Sequence, residues 1–97
     1  MILYKLYHDG TEVLFSKEAI HVTCTDLHNN LVQYKNKTYK IGVPVLDGLK
    51  MCYMIEDEGN SDEEVISAMK NYIITTLQGR INNFKAALRE WEVSSVR

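Results

Sequence analysis

The sequence predicts an α+β domain: a mostly antiparallel sheet of about five strands over residues 2–55, then a long C-terminal amphipathic helix over about 61–93 packed on one sheet face. Three observations predict it. Turn signals at Asp9-Gly10 and Asn36-Lys37 divide runs that alternate with period two. A capping sequence at residues 61–64 opens a segment whose apolar residues recur every three or four positions. All the strand signals precede all the helix signals, and no repeat or low-complexity linker separates them. With 97 residues the chain is large enough for one core, so residues 1–97 read as a single domain with a β-rich part over 1–58 and the helix over 61–93.

The first element is a hairpin, YKLYHDGTEVLF, centred on Asp9-Gly10. Pairing outward from a two-residue turn sets His8 opposite Thr11, Leu6 opposite Val13 and Tyr4 opposite Phe15 on one apolar face. Tyr7 with Glu12, Lys5 with Leu14 and Leu3 with Ser16 make the other face mixed, as in a sheet that is wet on one side. A third strand follows in AIHVTC, with Ile20, Val22 and Cys24 on one side. In VQYKNKTYKI, an Asn36-Lys37 turn would pair Tyr34 with Tyr39 and Val32 with Ile41, although lysine is a poor residue for the second turn position. Pro44 makes GVPVLDG an edge, a bulge or a loop, and LKMCYMI at 49–55 is the last strand.

Ser61 and Glu64 form a capping box, with Asp62 and Glu63 in a first turn that favours negative charge. Ile66, Met69, Ile73, Leu77, Ile81, Phe84, Leu88 and Trp91 then keep one phase, which predicts one helix through Gly79, the position where it would bend or break. A rod of that length runs about 50 Å, longer than the diameter of about 32 Å of a domain this size. Its far end would therefore overhang the sheet. On that geometry Leu77, Ile81, Phe84, Leu88 and Trp91 form an interface for a second copy of the chain, a dimer by preference. A break at Gly79 that folds the end back, or a foreign partner, are the alternatives.

Little else points to chemistry. HVTCTDLH, residues 21–28, brings His21, Cys24 and His28 together, and the distant Cys52 would complete four zinc ligands. On a strand, however, His21 and Cys24 point to opposite faces, and both cysteines read as core residues, so neither a metal site nor a cysteine enzyme is favoured. No phosphate loop, nucleophile elbow or HExxH unit occurs. The expectation is no enzyme, no metal and no cofactor. The net charge of −2 gives no field that would draw the chain to nucleic acid or an anionic membrane, and no apolar run reaches the length that crosses a bilayer. Without a secretion signal in MILYKLYHDG, a cytoplasmic location with reduced cysteines is expected.

Two charged segments remain. The run EDEGNSDEE at 56–64 holds six acids, of which Glu56, Asp57, Glu58, Asp62 and Glu63 would present an acidic surface to a protein partner. Lys35, Lys37, Lys40 and Lys50, interleaved with Tyr34 and Tyr39, would grip nucleic acid in a competing reading. The leading expectation is a small, non-enzymatic, regulatory protein-binding accessory module, of the kind phages and mobile elements carry, that self-associates through its helix. Nucleic-acid binding is the alternative.

Overall fold

The computed structural model describes residues 1–79, 85–93 and 96. The chain runs through seven strands and two helices: β1 (Ile2–His8), β2 (Val13–Ala19), β3 (Thr23–Asp26), β4 (Leu31–Tyr34), β5 (Lys37–Lys40), β6 (Val45–Asp47), β7 (Met51–Glu56), α1 (Asp62–Gln78) and α2 (Lys85–Val93). The α+β class is as expected, and every strand pair within the sheets is antiparallel. The single sheet is not. A four-stranded sheet in the order β2-β1-β7-β6 and a three-stranded sheet in the order β3-β4-β5 replace it. Pairing of β1 with β7, the first and last strands, closes the large sheet, and no local spacing announces that contact.

Both hairpins keep the expected faces with a register displaced by two residues. His8 lies opposite Val13, Leu6 opposite Phe15 and Tyr4 opposite Lys17, around a four-residue loop. The Asp9 carboxylate builds that loop. It accepts the N–H groups of Thr11 and Glu12 and the Thr11 hydroxyl, each at 2.9 Å, and the Asp9 N–H donates to the Glu12 carbonyl at 3.1 Å. In the second hairpin the turn is Lys35-Asn36, with Tyr34 opposite Lys37 and Val32 opposite Tyr39. Both turn residues have positive φ, 49° and 65°, as a two-residue primed turn requires. A slip of two leaves each side chain on its own face, whereas a slip of one would have inverted the sheet.

Side-chain alternation divides β1 between two cores. Tyr4 and Leu6 point to the helices with Cys52 and Met54 of β7, and pack with Val13, Val65, Met69, Ile73, Leu77 and Trp91. Leu3 points the other way and joins Ile55 and Val32 of the small sheet, flanked by Ile20, Val22, Tyr34, Tyr39 and Tyr53. The fold is therefore three layers: helices, large sheet, small sheet. The small sheet is pinned to β7 where the Gly42 N–H donates to the Ile55 carbonyl at 2.8 Å. Gly42 has φ +78°, a left-handed conformation that favours glycine, and a Cβ there would stand 2.9 Å from Glu56 Oε2 and displace that carboxylate.

The expected continuous helix is also corrected. Ser61 Oγ accepts the Glu64 N–H at 3.2 Å and starts α1 where the capping signal places it. Its buried stripe is Val65, Met69, Ile73 and Leu77, with Ile66 only half-buried. The helix ends at Gly79, whose N–H closes the last turn on the Thr75 carbonyl at 3.1 Å. At about 26 Å, α1 fits within the longest molecular dimension of 38 Å, which a 50 Å rod would exceed. Trp91 gives the physical reason for the break. Folded back on α2, its indole is completely buried, lies edge-on to His8 at 5.7 Å and donates Nε1–H to the Leu49 carbonyl at 2.8 Å. Burying the largest apolar side chain with its polar atom satisfied outweighs a few helical turns in water. Just beyond, Val96 makes a parallel bridge to Val13 at the outer edge of β2.

Candidate functional site

The face of the large sheet away from the helices falls into three rows, each running across neighbouring strands in register. Glu18, Leu3 and Ile55 make the first; Ser16, Lys5, Tyr53 and Val45 the second; Leu14, Tyr7, Met51 and Asp47 the third. The small sheet covers Leu3 and Ile55 completely enough to bury them. Over the second row it reaches Tyr53 but leaves a cleft of about 260 Å³ between the sheets. The third row is more open, with Tyr7 36% and Leu14 38% exposed, Asp47 exposed and Met51 half-buried.

Leu3, Lys5, Glu18 and Tyr53 form the floor and side of the cleft, and Tyr34, Lys35, Lys37 and Tyr39 form its roof. Three ammonium groups thus face one carboxylate. Two of them are steered by aromatic faces: Lys5 Nζ lies 6.0 Å from the centre of the Tyr53 ring, and Lys35 Nζ 5.3 Å from that of Tyr34. Tyr53 donates its O–H to Met51 Sδ. Burial, then the nearby Asp47 charge, then Tyr39, push its phenol above the usual tyrosine range, so the ring enters the site neutral. Such a site offers charge and aromatic surface to an anion and holds no histidine or cysteine among its lining residues.

Lys35 occupies the cleft at a conformational cost. Its φ of 49° is left-handed, where asparagine and glycine are the usual residues and a lysine gives up about 1–2 kcal/mol. Strain of this kind collects at sites that need a particular side chain.

Of the four lysines expected to act together, the fold gathers Lys35 and Lys37. Lys40 is opposite Leu31, on the face of β5 turned away from Tyr39, and Lys50 sits in the β6–β7 turn, where its carbonyl accepts the His8 N–H at 2.8 Å. Sequence reasoning assigns neither Lys5 nor Tyr53 to a site. Alternation does put Lys5 on the mixed face, but only the β1–β7 pairing sets it beside Tyr53.

The other expected sites are dispersed. Leu77 and Trp91 are inside the chain's own core, out of reach of a partner while this packing holds. Leu88 is half-buried beside Val93, which is 71% exposed, while Ile81 and Phe84 lie outside the described residues. In the acidic segment Asp57, Glu58 and Glu63 are exposed, Asp62 pairs with Lys17 at 2.9 Å, and Glu56 packs over Gly42. Cys24 is exposed on the outer strand of the small sheet, which corrects its expected place in a core; Cys52 is sealed in the helix-side core, and burial pushes its thiol up to about 12. The set His21, Cys24, His28 and Cys52 is thus not brought together, and among the described residues no three His, Cys, Asp or Glu side chains gather as metal ligands. Nor, among these residues, is any helix long and apolar enough to cross a membrane.

No family model, no curated protein and no solved structure matches this chain.

Proposed function

We propose that this chain is a small non-enzymatic binding module that holds an anionic group of its partner in the cleft between the two sheets. The observation that carries the reading is the convergence of Lys5, Lys35 and Lys37 with three tyrosines, from strands far apart in sequence, on one opening of about 260 Å³. An opening of that size suits one charged group and a ring rather than a drug-sized ligand. Recognition rather than catalysis is supported by the residues that could react: the Cys52 thiol is buried away from the cleft, and the carboxylate in the cleft, Glu18, has neither histidine nor cysteine among its neighbours there.

Titration with inorganic pyrophosphate, followed by backbone amide NMR shifts, tests this. Shifts are expected to concentrate on residues 3–5, 34–39 and 53, and Lys37→Glu is expected to weaken binding about tenfold or more. Shifts scattered over the surface, or equal affinity in the variant, would sink the reading.

A further inference from the structure

We infer that the cleft's anion is a phosphate of single-stranded nucleic acid, and that the open row beside it, Leu14–Tyr7–Met51, is the platform for the adjoining base. This inference rests on the anionic-cleft reading above and extends it along the sheet.

The row order carries the argument. Lys5 and Tyr7 are two residues apart on the same face of β1, so the cation and the exposed ring are separated by about 6.8 Å of strand rise. A phosphate and the base of the next nucleotide span such a step. Tyr7 lies directly between Leu14 and Met51 in an apolar row three strands wide, with Tyr7 and Leu14 exposed and Met51 half-buried at its β7 end. Aromatic rings on a sheet beside lysines hold single strands without regard to sequence, because every base has a stackable face. A helical peptide would want a groove, which a flat row does not offer, and an extended peptide would want a sheet edge.

Charge confines the path. Glu18 ends the first row and Asp47 the third, on opposite flanks of the face, while Lys5, Lys35 and Lys37 occupy the middle. A polyanion is therefore directed along β1 rather than across the strands. The Tyr53 ring is already engaged by Lys5, which leaves Tyr7 as the stacking surface. The chain's net charge of −2 makes the contact local, with three phosphates at most.

Fluorescence anisotropy with a labelled twelve-residue oligothymidylate tests this, with a duplex of equal length and a decaglutamate peptide as competitors and inorganic pyrophosphate as the probe of the cleft alone. The single strand is expected to bind in preference to both competitors and to lose at most about twentyfold in affinity between 50 and 200 mM salt, the limit that three phosphate contacts set. Tyr7→Thr, which keeps a good strand residue, is expected to weaken the oligonucleotide about 5- to 100-fold and leave pyrophosphate binding unchanged, and Tyr7→Phe is expected to bind as the parent does. Circular dichroism verifies that each variant is folded. If pyrophosphate binds but Tyr7→Thr holds the oligonucleotide as tightly as the parent, or decaglutamate displaces it more effectively than the duplex does, the nucleic-acid inference is overturned and the anionic cleft stands. If neither pyrophosphate nor oligonucleotide binds, both fall.

Discussion

The two faces of β1 and β7 are made from alternate residues of the same strands, and they differ in almost every physical respect. On the helix side Tyr4, Leu6, Cys52 and Met54 are buried under Val65, Met69, Ile73, Leu77 and Trp91. On the other side burial lapses within three rows, from Leu3 and Ile55 through Lys5 and Tyr53 to the exposed Tyr7 and Leu14. The period of two lets one strand supply a sealed core with its even residues and a graded, accessible surface with its odd ones. Stability and recognition are thereby separated without a second domain. In a chain of this size that division decides which substitutions the fold tolerates.

The strongest way to break the comparison is on the sealed side. Trp91→Ala is expected to lower the free energy of unfolding by about 3–5 kcal/mol, read from urea denaturation. It removes the indole's packing against His8 and its bond to the Leu49 carbonyl together. Trp91→Phe should cost less, chiefly the roughly 0.5–1.5 kcal/mol of the lost hydrogen bond to the half-buried Leu49. Neither change touches the cleft, so pyrophosphate affinity of the folded protein should stay as it is. A parallel loss of affinity would show that the two faces are not independent.

How legible each face was follows from the range of the interactions that make it. The faces of both hairpins were legible, because alternation survives a register error of two, whether the turn is longer by two residues, as at 9–12, or shifted by one position, as at Lys35-Asn36. Asp9-Gly10 reads as a two-residue turn until the Asp9 carboxylate is seen to accept two backbone N–H groups, and Lys35 reads as a strand residue because a lysine at positive φ is rarely chosen. The start of α1 at Ser61 was legible from its cap. Its end was not, since Leu77 and Trp91 are in phase and only tertiary burial of the indole distinguishes a fold-back from a rod. Half of the candidate site shared that limitation. Tyr34, Lys35, Lys37 and Tyr39 form a local cluster, whereas Lys5 and Tyr53 are 48 positions apart and meet through pairing of the first and last strands.

On the open side, Lys35 sharpens the comparison, because conformation and function should pull in opposite directions there. Lys35→Gly removes the left-handed cost, offset in part by the greater freedom of glycine in the unfolded chain, and is expected to raise stability by about 0.5–1 kcal/mol. The same change takes one of three cations from the cleft and should weaken pyrophosphate several-fold. Denaturation and titration of one variant therefore test both halves. A variant that is more stable and binds equally well would assign Lys35 to the turn alone, and the strain would need another explanation.

The smallest effect belongs to Asp9, whose loop joins β1 to β2 and so serves both faces at once. Hydrogen bonds from the Glu12 N–H, then the Thr11 N–H and hydroxyl, lower its carboxyl from 3.8 to about 2. A carboxylate with a depressed folded-state pKa stabilises the fold above its unfolded value and loses that contribution as pH falls through the folded one. The window is therefore pH 4 down to pH 2. Asp9→Asn keeps an acceptor oxygen in the loop but removes the titration, so the melting-temperature gap between parent and variant should be constant above about pH 5 and narrow steadily towards pH 2. The carboxylate is fully exposed, and water screens it, so the shift should be small. The register it sets is shared by the core row Leu6–Phe15 and the open row Tyr7–Leu14, and a two-residue slip would move both. If melting stayed parallel across the window, the loop's backbone would be holding that register and the carboxylate would be incidental to it.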